Sequence, residues 1–75
     1  MHTIKITIEQ SGKGYEFCNG NIAVASIREY NPGVYSLIVN RKRYGVVNSL
    51  AAAVEIVSDK ISNIFDSLGL DVEFK

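Results

Sequence analysis

Residues 49–69, SLAAAVEIVSDKISNIFDSLG, decide the fold of this chain. Leu50, Val54, Val57, Ile61, Ile64 and Leu68 recur at intervals of four, three, four, three and four. That spacing lines one face of an α-helix. Asn48 or Ser49 offers the oxygen of an N-cap. Gly69 stands just past the last apolar residue, where a left-handed residue ends a helix. A helix of about 19 residues would be roughly 29 Å long, at a rise of about 1.5 Å per residue, enough to cross a small sheet. Its single apolar stripe needs such a sheet beneath it.

Upstream of the helix the period is two. Over residues 3–9, Ile4, Ile6 and Ile8 point one way while Thr3, Lys5, Thr7 and Glu9 point the other, as in a half-buried strand. Gln10 to Gly14 reads as a turn in which Gly12 and Gly14 tolerate positive φ. Residues 15–18 form a short strand with Tyr15 and Phe17 on one face, and Asn19-Gly20 signals a hairpin. Residues 22–30 read as a strand from their β-branched content; a short helix is the alternative, since Ile22, Ser26, Ile27 and Tyr30 also fit helical spacing. Asn31-Pro32-Gly33 is a turn, with Pro fixing φ and Gly accepting a positive one. Residues 34–40 are apolar on both faces, which marks a central strand covered on both sides. Asn40-Arg41-Lys42 turns the chain into a strand over 43–47. Leu70, Val72 and Phe74 alternate with Asp71, Glu73 and Lys75, giving a last strand. The expected architecture is a two-layer α+β domain. An antiparallel sheet of about five or six strands packs on one long helix (about 49–68), with a final strand over 70–74, as a single domain over residues 1–75.

The composition narrows the function classes. The 75 residues are 47% hydrophobic and 21% charged, a globular balance. Eight bases offset eight acids, so a globally basic nucleic-acid binder is excluded, though a local basic patch is not. One cysteine excludes a disulfide framework and a four-cysteine zinc site. Residues 1–9 lack the continuous apolar core of a signal peptide, and no apolar run approaches the roughly 20 residues that span a bilayer. A cytoplasmic protein without membrane association is therefore expected.

Catalytic groups are hard to find. His2, the one histidine, lies at the terminus, and Cys18 has no other histidine to activate it. Cys18 reads as a small residue at a strand end. Gly12-Lys13-Gly14 lacks the spacing and following helix of a phosphate-binding loop. No Asp, Glu and His set has metal-ligand spacing, so no enzyme, metal or cofactor is expected.

The uneven charge is the most informative feature. From Arg28 to Tyr44, Arg28, Arg41, Lys42 and Arg43 outweigh Glu29, a balance of +3. From Leu50 onward, Glu55, Asp59, Asp66, Asp71 and Glu73 outweigh Lys60 and Lys75, a balance of −3. Two candidate surfaces follow. Glu55, Asp59 and Asp66 share the helix face opposite the apolar stripe; that is either a solvated face or an acidic surface for a basic partner. Arg28, Tyr35, Arg41, Lys42, Arg43 and Tyr44 set bases beside aromatic rings, a combination that binds a partner or single-stranded nucleic acid. The competing reading makes the tyrosines cross-strand packing partners.

Gly33-Val34-Tyr35, Val39, Lys42, Gly45 and Ser49-Leu50-Ala51-Ala52-Ala53 carry a partial resemblance. Residues 33–57 resemble the strand-strand-helix end of small three-stranded-sheet DNA-binding domains, the integrase arm-binding and AP2-like kind. The resemblance implies major-groove contacts, with Arg28, Tyr35, Arg41, Lys42 and Arg43 as the candidates. The chain departs from that pattern in its extra N-terminal strands, its neutrality and its final strand. In size and neutrality it also looks like small phage-encoded inhibitors of host enzymes. The expected function is a small non-enzymatic protein-interaction module, a phage-type regulator or inhibitor of a larger protein, with nucleic-acid binding through the basic hairpin as the alternative. A homodimer is expected as well, because one helix covers only one face of a sheet whose central strand is apolar on both.

Overall fold

The computed structural model describes residues 3–75. Five strands run first: β1 (Thr3–Ser11), β2 (Gly14–Asn19), β3 (Ile22–Asn31), β4 (Val34–Val39) and β5 (Lys42–Val47). The helix α1 (Leu50–Asp66) and the strand β6 (Asp71–Phe74) complete the chain. Residues 22–30, which fitted either state, are strand.

Two-residue connections explain why β1 to β5 form an antiparallel meander, each strand pairing with the next. Gly12 (φ +58) opens the first turn. Gly14 plays a different part from the one its turn-like setting suggests. It belongs to β2, where an added Cβ would overlap the carbonyl oxygen of Ile27, so glycine permits β2 and β3 to close up. The second turn is centred one residue later than Asn19-Gly20 implies: Asn19 ends β2, and Gly20 (φ +66) holds the first central position. Pro32-Gly33 makes the third turn as its sequence requires, and the Glu29 carboxylate accepts a hydrogen bond from the Gly33 N–H at 3.1 Å.

The sheet order is β5-β4-β3-β2-β1-β6, and the sheet curls into a half-barrel. An all-antiparallel sheet is corrected at one pair, because β6 lies parallel to β1 with Thr3 opposite Asp71 and Ile6 opposite Phe74. The chain direction dictates this. The helix leaves the end of β5 and travels back along the sheet, so the strand after it starts beside the start of β1. A parallel neighbour requires such a long crossover.

The Ser49 hydroxyl caps the helix by accepting from the Ala52 N–H at 3.3 Å. At the other end Leu70 N–H bonds the Phe65 carbonyl and Gly69 N–H bonds the Asp66 carbonyl, with Gly69 at φ +76. That is the Schellman arrangement anticipated from Gly69. Between the caps, Ala53, Val57 and Ile61 are buried against Ile6, Phe17, Ala25, Ile27, Leu37 and Val39 of the sheet. The helix stripe is therefore centred on Ala53-Val57-Ile61. Leu50, Val54 and Ile64 sit at its half-buried margins, and Leu68 lies beyond the helix, 67% exposed. The expectation that Leu68 is core fails because the helix ends at Asp66 and the turn carries Leu68 past the sheet.

The expectation of an apolar far face is also revised. Tyr35, Leu37 and Val39 face the helix, and Val34, Ser36 and Ile38 face away, all three half-buried. Thr3, Lys5, Thr7 and Glu9 of β1, Glu16 of β2, Ser26 and Arg28 of β3 and Arg43 of β5 make most of the far side polar. The exception is the β4–β5 end, where Val34 and Ile38 are joined by Val46, opposite Ser36 and 52% exposed.

Candidate functional site

Three surfaces compete: the basic β4–β5 hairpin, the acidic face of α1, and an apolar groove that sequence reading did not single out.

The hairpin is built on Asn40 (φ 51) and Arg41 (φ 66), both left-handed. Two positive φ values match the right-handed twist of the flanking strands, which is why this turn type joins hairpins. Asn tolerates the conformation, whereas for Arg it is strained. Arg41→Gly is accordingly expected to raise stability by about 0.5–1 kcal/mol, by removing the Cβ penalty less the entropy glycine adds to the unfolded chain. The urea midpoint should rise at unchanged slope; a fall would mean that the Arg41 side chain makes contacts that outweigh the strain.

The basic and aromatic residues do not converge on one face. Arg28 and Arg43 lie on the far face of the sheet, as their pairing with Ser36 and Ile38 requires. Tyr35 and Lys42 belong to the helix side, and Arg41 stands at the tip. A register shift between Ser36 and Ile38, with Gly45 at φ +98, forms a bulge in this ladder. The Tyr44 ring is engaged by Lys60 of the helix, whose Nζ lies 4.3 Å from the ring centroid. This contact ties α1 to the edge strand and is worth about 0.5–1 kcal/mol at an exposed site.

Glu55, Asp59 and Asp66 share one helix face, directed away from the sheet, and all three are exposed. Asp71 and Glu73 lie on the edge strand β6 and Lys42 and Arg43 on the opposite edge strand β5, while Arg28 lies on β3 in the interior of the sheet.

Cys18 is buried, at 8% exposure, beside Glu9 and Glu16. Burial pushes its thiol pKa up, and a hydrogen bond to Glu9 and the negative charges of Glu9 and Glu16 act in the same direction. The thiolate a nucleophile needs is thus disfavoured. His2 lies outside the described residues. Among the described residues no group of three or more His, Cys, Asp or Glu side chains could hold a metal ion, and no helix is long and apolar enough to cross a membrane.

The third surface lies at the end of the domain where α1 finishes. Val24 is the extra residue of a β-bulge, since Cys18 pairs with Ala23 while Phe17 pairs with Ala25. Its carbonyl accepts from the Asn40 N–H at 2.9 Å, joining the bulge to the β4–β5 turn. Val24, Val39, Asn40, Ile61, Ile64, Phe65 and Leu68 line a groove of about 290 Å³ between this bulge and the last turn of the helix. Leu68, 67% exposed, stands on its lip. The Ile61-Ile64-Leu68 spacing was legible in the sequence as a helix stripe; its termination short of Leu68 was not.

Comparison of the chain with known protein families, curated proteins and solved structures gave no match.

Proposed function

We propose that this chain is a small non-enzymatic protein-interaction module, a regulator or inhibitor in type, that grips its partner through the apolar groove. The observation that carries the reading is Leu68. A leucine 67% exposed beside an open apolar groove costs solvation free energy in the isolated chain and regains it only when covered. The cap leaves no other place for it, because Gly69 and Leu70 are held by their bonds to Asp66 and Phe65. The disfavoured thiolate of Cys18 agrees with a role that needs no nucleophile.

The test is capture of partners from the source cells on wild-type and Leu68→Lys protein, with Asp59→Lys on the opposite helix face as control. Burying a leucine side chain contributes about 1.5–3 kcal/mol. Leu68→Lys should then weaken capture by roughly tenfold or more while Asp59→Lys leaves it intact. Equal capture by wild type and Leu68→Lys would remove the groove from the function.

A further inference from the structure

We infer that the outer edge of β5 takes up an acidic, extended segment of another protein, which adds to the sheet as a further strand. The inference goes beyond the groove reading and uses a different surface.

β5 is one edge of the sheet. Among the described residues it pairs with β4 alone, and no hydrogen bond from a helix, a turn or a side chain reaches Lys42–Val47. An edge strand presents a row of unpaired N–H and C=O groups, and an extended chain can pair with them. Five of the six residues of β5 are exposed.

The charge of this edge identifies the occupant. Residues 34–54 hold Arg41, Lys42 and Arg43 and no acid. Like charges directly opposite one another destabilise a strand pair, so β5 of a second copy is rejected and an acidic strand is attracted. Lys42 and Arg43 point to opposite faces, so the matching segment carries two adjacent acids, one for each face. β6 of a second copy does not fit, because Asp71 and Glu73 stand two residues apart and share a face. Nor does β6 compete for the same segment, since its own acids repel it. Past the two bases, Tyr44 is exposed on the helix side, and Val46 is exposed on the far face near Val34 and Ile38. Apolar residues of the segment fall beside these two. Continuing the antiparallel meander sets the order, apolar residues first and acids after. A nucleic acid offers no row of amides for this edge, and Lys42 and Arg43 do not converge on one phosphate backbone.

The probe is an acetylated, amidated heptapeptide, threonine-valine-threonine-valine-glutamate-glutamate-threonine, titrated into the isotope-labelled whole chain. Backbone amide resonances of Lys42–Val47 should shift, and those of Ile61, Ile64 and Leu68 should not. Lys42→Glu with Arg43→Glu should weaken binding by about fivefold or more, the effect of reversing two exposed charge pairs, with the thermal transition unchanged. The same peptide methylated on the backbone nitrogens that face β5 should bind about tenfold or more weakly, because it keeps every charge and loses the pairing. Leu68→Lys should leave peptide binding unchanged, which separates this edge from the groove. No shift at Lys42–Val47 with millimolar peptide, equal binding by the methylated peptide, or a larger shift of these resonances by single-stranded oligothymidine at equal concentration overturns the inference.

Discussion

Phe17→Ala should lower the free energy of unfolding by about 3–5 kcal/mol, the range for removing a fully buried phenylalanine. Phe17 is the largest fully buried side chain, with no exposed surface, in the middle of β2. Its ring meets Phe74 edge-on, with centroids 6.4 Å apart and planes at 86°. That geometry adds to the area buried, because the positive edge of one ring faces the negative face of the other. Phe74 belongs to β6, so the ring links the meander to the strand laid down after the helix. A domain of this length has a total stability of roughly 4–11 kcal/mol, at about 0.05–0.15 kcal/mol per residue. The variant should accordingly be largely unfolded at temperatures where wild type is folded. Urea titration by far-ultraviolet circular dichroism measures it, and a loss below about 1 kcal/mol would show that the Phe17 site collapses without a cavity.

The second large effect separates two members of the helix stripe. Ile61 is 1% exposed and Leu68 is 67% exposed. Ile61→Ala should cost about 2–5 kcal/mol, through lost transfer free energy and the cavity left behind. Leu68→Ala should cost under about 0.5 kcal/mol, as expected of a surface substitution. Measured on the monomer, the pair reports the rotation and length of the helix. Equal losses would mean that the helix continues past Asp66 and seats Leu68 on the sheet.

Period and turn chemistry made most of the elements legible. Residues 49–68 were expected as helix from their spacing, and Leu50–Asp66 is helix. Pro32-Gly33 turns the chain as its dihedral preferences require. What escaped sequence reading depends on pairing between elements. Nothing local in Asp71-Val72-Glu73-Phe74 tells whether it meets β1 or β5, or in which direction; the path of the helix settles that. The bulges at Val24 and Gly45 arise from register, which no single strand encodes. Ala53 escaped because it is small, yet it is fully buried, and its size lets the helix approach the sheet. The acidic helix face was legible because charges at helical spacing stay together. The basic run was less so, because neighbours in a strand alternate faces: Arg43 and Lys42 are adjacent in sequence and point to opposite sides.

The parallel pairing of β6 with β1 bears on the order in which the chain can fold. The meander zips from contacts a few residues apart, across turns whose closure costs little chain entropy. Joining Thr3 to Asp71 instead closes almost the entire chain, and it brings Phe74 to Phe17. Such a non-local contact slows folding, because its entropic cost falls before its reward. During synthesis β1 therefore emerges from the ribosome with an unpaired edge and keeps it until the helix and β6 have followed. Over that interval the nascent meander exposes both a strand edge and the uncovered row Ile6, Phe17, Ile27 and Leu37, the state in which strands of neighbouring chains most readily pair.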